Sequence, residues 1–282
     1  MKLGKNSIHL FILLFAVSSL LVHFPSEAFA EEGVIATITV GADPNSIAFD
    51  SENNRMYVTN SGGSWREDNP LYGDSISVID TSNYEVIETV TAAGAGGNGN
   101  TPHGIAFDPV NNRMYYAIGN WLHTEVYVSV MNTADNSVSA KITVGERPQA
   151  IAFDSANNRM YVTNYNDDTV SVINTATNGV IATISVGDYP QDIAFDSTNN
   201  RMYVTNWNDD TVSVINTVDN SVIATISVGD SPGGIAFDST NNRMYVVNYN
   251  DDTVSVIDTA SNSVIDTISV GDGPLRELRL IQ

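Results

Sequence analysis

Pro148–Gly187 reads PQAIAFDSANNRMYVTNYNDDTVSVINTATNGVIATISVG, and 42 residues on Pro190–Gly229 reads PQDIAFDSTNNRMYVTNWNDDTVSVINTVDNSVIATISVG. A third copy opens at Pro232, and Pro274 follows it at the same interval of 42. Two looser copies open at Pro44 and Pro102. A fixed period of this kind outranks every local signal in deciding a fold. The complete units run at about 44–90, 102–144, 148–186, 190–228 and 232–270, and 274–282 starts a sixth that breaks off. Within the unit at Pro148, four short runs concentrate Val, Ile, Tyr, Phe and Thr: Ala150–Phe153, Arg159–Thr163, Thr169–Ile173 and Val180–Val186. Such runs read as half-buried strands, and the Asn, Asp and Gly clusters between them read as turns.

A four-stranded antiparallel sheet of this length cannot cover both of its faces. Each Val, Ile or Phe stabilises by about 1.5–3 kcal/mol only when a neighbour removes it from water. Stacking successive sheets face to face around an arc meets that need, and four strands per period of about 40–45 residues is the signature of a propeller blade. The expected fold is an all-β β-propeller with five complete blades, an orphan outer strand at Val34–Val40 and an incomplete sixth blade at 274–282.

Tyr57–Asn60, Tyr161–Asn164 and Tyr203–Asn206 each read Y-V-T-N, and Tyr245–Asn248 reads Y-V-V-N. On these motifs the chain resembles the YVTN-family β-propeller repeat proteins of surface-layer and secreted type. The resemblance spans residues 34–274 and implies the fold. It implies no single activity, because the family includes surface-layer modules, binding proteins and relatives of propeller lactonases.

The first thirty residues read as an address. Lys2 and Lys5 precede an apolar run from Ile8 to Val22, and Ala28-Phe29-Ala30 supplies small residues for cleavage, so the mature chain is expected to begin at Glu31. The apolar run is short for a bilayer span, which needs about twenty residues. The expected location is therefore secreted or extracytoplasmic, at the cell surface or in the periplasm, with no membrane span in the mature chain. There are no cysteines, which removes disulfide and thiolate–metal chemistry. Without Lys2, Lys5 and Glu27, the 12 basic and 33 acidic residues become 10 and 32. A polyanion of that strength repels nucleic acid phosphates and anionic lipid.

Strand alternation sorts the loops onto two faces. The turns between first and second and between third and fourth strands share a lower face; the other loops share an upper one. On the lower face Asp50, Asp108, Asp154, Asp196 and Asp238 open tight turns, each followed five residues later by an arginine. An Asp there is expected to bond the turn's backbone and to meet the Arg. On the upper face Asp167-Asp168, Asp209-Asp210 and Asp251-Asp252 admit two readings, turn chemistry or a weakly held Ca²⁺ or other divalent cation bridging two loops. Insertions in blades 1 and 2 bring Trp65, Tyr72, Trp121 and His123 to that same face, where binding commonly resides. The residue after each repeat proline lines the channel mouth: Asn45, His103, Gln149, Gln191 and Gly233.

No residues are expected to be catalytic, because no nucleophile triad, distinct carboxylate pair or phosphate loop stands out. The leading expectation is a non-catalytic binding or structural module engaging a protein, an envelope component or a small ligand. Two alternatives stand beside it: a metal-dependent hydrolase or lyase of the lactonase type centred on His103, and a periplasmic small-ligand binder. Arg276–Gln282 departs from the repeat, yet it can be encoded as AGG GAA TTG CGT TTG ATT CAA, which read two bases later gives Gly-Ile-Ala-Phe-Asp-Ser. That match predicts a further repeat in a shifted frame of the gene, which resequencing tests.

Overall fold

The computed structural model describes residues 34–62, 74–92, 101–119, 126–271 and 273–274. Strands are lettered A to D from the inside of each blade outward. Blade 1 is β1 (Pro44–Asp50), β2 (Arg55–Ser61), β3 (Asp74–Asp80) and β4 (Glu85–Thr91). Blade 2 is β5 (Thr101–Asp108), β6 (Arg113–Gly119), β7 (Tyr127–Asn132) and β8 (Val138–Thr143). Blade 3 is β9 (Pro148–Asp154), β10 (Arg159–Asn164), β11 (Thr169–Asn174) and β12 (Gly179–Ser185). Blade 4 is β13 (Pro190–Asp196), β14 (Arg201–Asn206), β15 (Thr211–Asn216) and β16 (Ser221–Ser227). Blade 5 is β17 (Pro232–Asp238), β18 (Arg243–Asn248), β19 (Thr253–Asp258) and β20 (Ser263–Ser269). Each blade is one antiparallel sheet in chain order. Among the described residues no helix is long and apolar enough to cross a membrane.

Tight turns of this kind need a left-handed residue, and Asn or Asp adopts that backbone most readily after Gly. Asn158, Asn200 and Asn242 close the A–B turns, Asp168, Asp210 and Asp252 the B–C turns, and Asn178, Asn220 and Asn262 the C–D turns, all at positive φ. A bulge recurs between strands C and D, for example between Val172 and Ile173, and adds local twist.

The core lies between blades. Period-two alternation sends Tyr161, Val170 and Val172 forward from blade 3, where they pack on Ile193, Met202, Val204 and Ile215 of blade 4. The same contact joins blades 1 and 2, 2 and 3, and 4 and 5. Inner strands neighbour one another in the order β1, β5, β9, β13, β17, and among the described residues β17 does not pack back on β1 in the same way.

Each position of Y-V-T-N carries part of this joint. The Tyr161 hydroxyl, fully buried, donates to Asn220 Oδ1 on the next blade's C–D turn at 2.7 Å. Burial pushes the phenols of Tyr115, Tyr161 and Tyr203 up to about 12. Val162 fills the rear core. Thr163 Oγ1 accepts the Ala150 N–H of the inner strand at 2.9 Å. Asn164 Nδ2 donates to Thr169 and Ser171 at the start of strand C. The motif is therefore a packing signature.

Two expectations change in detail. Asp154 does bond its turn, accepting from the N–H groups of Ala156 and Asn157 and from Asn157 Nδ2. Arg159 does not turn to that Asp: its Nη1 donates to the Thr217 carbonyl of the next blade at 2.8 Å. The Asp oxygens are already filled, so the cation is left to tie blade to blade. Val34–Val40, expected as an outer strand, pairs with no strand among the described residues. It nevertheless lies where an outer strand would lie. Ile38 and Val40 cover Met56, Val58 and Ile79 of blade 1, as Ile184 and Val186 cover blade 4.

Candidate binding face

The upper face is assembled from B–C loops resting on the D–A loops that enter each blade. In blade 3, Tyr165 N–H donates to the Arg147 carbonyl at 3.0 Å and Asn166 N–H to the Glu146 carbonyl at 3.3 Å. The paired aspartates lock this arrangement. Asp167 accepts the Glu146 N–H at 2.7 Å, and Asp168 accepts the Tyr189 N–H of the following loop at 2.9 Å. Asp209 and Asp210 take the Asp188 and Ser231 amides, and Asp251 and Asp252 those of Asp230 and Gly273. The two carboxylates of a pair thus serve different loops. Among the described residues no three His, Cys, Asp or Glu side chains gather in a way that could hold a metal ion.

At the channel mouth Asn45 is exposed, Gln149 and Gln191 are partly exposed and Gly233 is buried. His103 Nε2 lies 3.0 Å from Thr101 Oγ1, and its buried Nδ1 has no partner. Desolvation, followed by the charge of Arg147, lowers its pKa to about 4, so the imidazole is neutral near neutral pH. Asp192, near the start of the inner strand β13, is bound into the backbone: it accepts the N–H of Ile193 at 2.8 Å and that of Ile235 on the next inner strand at 3.0 Å. An open groove of about 360 Å³ beside blades 3 and 4, lined by Ser185, Gly187, Asp209, Thr211 and Thr225 among others, has Asp209 as its one ionisable group.

Trp65, Tyr72, Trp121 and His123 lie outside the described residues. Asp74, which follows the blade 1 insertion, is a titrating group that the sequence did not single out; burial raises its pKa to about 6.

These two groups pull stability in opposite directions. His103 has a folded pKa below its ordinary 6.5, so the unfolded chain takes up a proton first and stability falls as pH drops from 6.5 to about 4. Asp74 has a folded pKa above its ordinary 3.8, so the folded chain takes up the proton first and stability rises as pH drops from about 6. His103→Gln, which installs the residue found at 149 and 191, should flatten the acid loss of thermal stability. Asp74→Asn should steepen it. Melting curves between pH 4 and 7 on both variants check the two signs.

A second feature of this face emerges only in three dimensions. The Arg147 guanidinium lies over the Tyr165 ring, 4.4 Å from its centroid. Tyr165 stacks on Tyr189 of the next loop, with centroids 4.8 Å apart and an interplanar angle of 11°. Trp207 meets Tyr249 at 5.7 Å. These five side chains run across blades 3 to 5, and Tyr189 is 42% exposed. Arg147 and Tyr189 sit at φ 53° and 55°, a backbone that suits Gly or Asn. Against known proteins, the sequence matches no family model and no curated protein significantly.

Proposed function

We propose that the chain from Glu31 onward is an exported, non-catalytic propeller that binds a partner or packs into an envelope layer through its upper face. The observation that carries this reading is the band of Arg147, Tyr165, Tyr189, Trp207 and Tyr249. A left-handed backbone costs a side-chain-bearing residue about 1–2 kcal/mol. Arg147 and Tyr189 bear that cost in loops otherwise closed by Asp43 and Ser231. Strain kept at an exposed position points to what the side chain presents. Aromatic rings and Arg on a rigid scaffold are the residue types that dominate protein interfaces.

The rest of the chain supports the same reading. The leader-like first thirty residues and the acidic composition suit export. The channel mouth offers one neutral histidine bonded to a threonine, and Asp192 on β13 is engaged by backbone amides. Co-sedimentation of the purified chain with cell envelopes of the producing organism tests the proposal. Retention should be measurable, and about tenfold weaker for the Tyr189→Ala/Trp207→Ala double variant, the equivalent of losing roughly 1.4 kcal/mol of contact. Envelopes that retain neither protein, or both equally, would overturn it.

A further inference from the structure

We propose that the forward face of blade 5 docks head to tail on the rear face of blade 1 in a second copy of this chain. Four internal joints define what such a face looks like when covered. Ile142, Ile184 and Ile226, on the outer strands of blades 2 to 4, are 5%, 7% and 6% exposed. Ile268, their counterpart in blade 5, is 44% exposed, and Val270 beside it is 39% exposed. Tyr57, Tyr115, Tyr161 and Tyr203 each donate to an asparagine of the next blade, whereas Tyr245 makes no such bond among the described residues. Arg243, which reaches no carbonyl of a following blade among the described residues, donates instead to the Asn242 carbonyl and to Asp258 of its own blade. Gly41, Gly145, Gly187 and Gly229 press against an asparagine of the adjoining blade, while Gly271 has open space.

The matching rear face is on blade 1. Phe237, at the equivalent position in blade 5, is 7% exposed against blade 4, but Phe49 is 45% exposed. Among the described residues outside blade 1, Ile38 and Val40 cover the outer part of this face. That segment reads V-I-A-T-I-T-V-G and has no strand partners among the described residues, and β20 with its flank reads V-I-D-T-I-S-V-G in a complete sheet. Blade 5 of another copy can therefore displace it, setting Ile268, Val270 and Gly271 where Ile38, Val40 and Gly41 lie. The C–D turn of blade 1 keeps Thr81, whose Oγ1 donates to the Asn54 carbonyl as Thr259 does to Asn242. It has Tyr84 where the other turns carry the accepting asparagine. The new joint thus lacks one hydrogen bond of the internal ones and forms reversibly. Because the two faces differ, the contact is heterologous and propagates. Within one copy, among the described residues, β17 does not pack on β1 as neighbouring inner strands pack on each other.

Light scattering on the eluting chain, over a range of concentrations, tests this. The unmodified chain should rise with concentration to at least twice its monomer mass. Ile268→Asp and Phe49→Asp, both at exposed positions, should each stay monomeric at every concentration, with Val270→Asp as an independent second variant of the first face. An equimolar mixture of Ile268→Asp and Phe49→Asp should recover a dimer and stop there, because each such pair retains one intact joint. Ile265→Asp should leave association unchanged, since Ile265 at 52% matches Ile181 and Ile223 at 48% and 45% in covered blades. A chain that stays monomeric, association that survives Ile268→Asp, or a mixture that fails to recover the dimer would overturn the proposal.

Discussion

Tyr203→Ala is expected to lower stability by about 3–5 kcal/mol, the range for removing a fully buried aromatic side chain, while Tyr245→Ala, the same position one blade later, should cost far less. Tyr203 is 0% exposed, packs on Ile235, Phe237 and Met244 of blade 5, and donates to Asn262 Oδ1 at 2.7 Å. Its removal opens a cavity between two sheets and takes one of two donors from the half-buried Asn262 amide oxygen, leaving Arg201 Nη1 at 3.1 Å. Tyr245 has the same neighbours in sequence but only half of its surroundings. It is partly exposed, and among the described residues no C–D turn stands opposite its hydroxyl. Chemical denaturation of the two variants, run side by side, reads the difference directly. Equal losses would mean that blade 5 is covered as fully as blade 4.

Gly187→Ala is the second large effect. A Cβ there would lie 2.5 Å from Asp209 Oδ2 and 2.7 Å from Cγ and Nδ2 of Asn206. Neither neighbour can yield cheaply. Asn206 is buried and held by Thr211 and Ser213, and Asp209 holds the Asp188 amide. Overpacking of this kind costs about 1–3 kcal/mol. Gly271→Ala, at the same place in the repeat, meets nothing within 4 Å and should be neutral. Thermal melting of both variants separates a steric requirement from a preference for glycine as such, because the latter would penalise the two alike.

Both contrasts arise because one local sequence sits in unequal surroundings, and that marks how far the sequence could be read. The blades, their strand order and the sorting of loops onto two faces follow from a 42-residue period and from alternation within each run. The partner of Arg159 does not. Nearness in sequence suggested Asp154, but that carboxylate is taken up by its own turn, and the accepting carbonyl belongs to Thr217, 58 residues away. The Asp-Asp loops carried two readings from composition alone, and only the placement of the entering and leaving loops shows which amides they hold. The aromatic band escaped for the same reason. Tyr165 and Tyr189 lie in different loops, brought together by the stacking of blades and by a positive φ that no motif announces. The available signal was a modest one: Arg147, Tyr189 and Ser231 differ at one site within otherwise matching repeats.

The central claim is that one joint, repeated four times, holds five blades in a row and leaves the last with a free face. Hydrogen exchange on the Ile268→Asp chain tests it most directly, because β10 and β14 share the sequence Arg-Met-Tyr-Val-Thr-Asn and β18 differs from it by a single residue. Intrinsic exchange rates in the three strands are therefore nearly equal, and the differences report local opening. Slow exchange in β10 and β14 with markedly faster exchange in β18 is the predicted result. Equal protection in all three strands would contradict the claim, since it would mean that blade 5 is closed over like the blades before it.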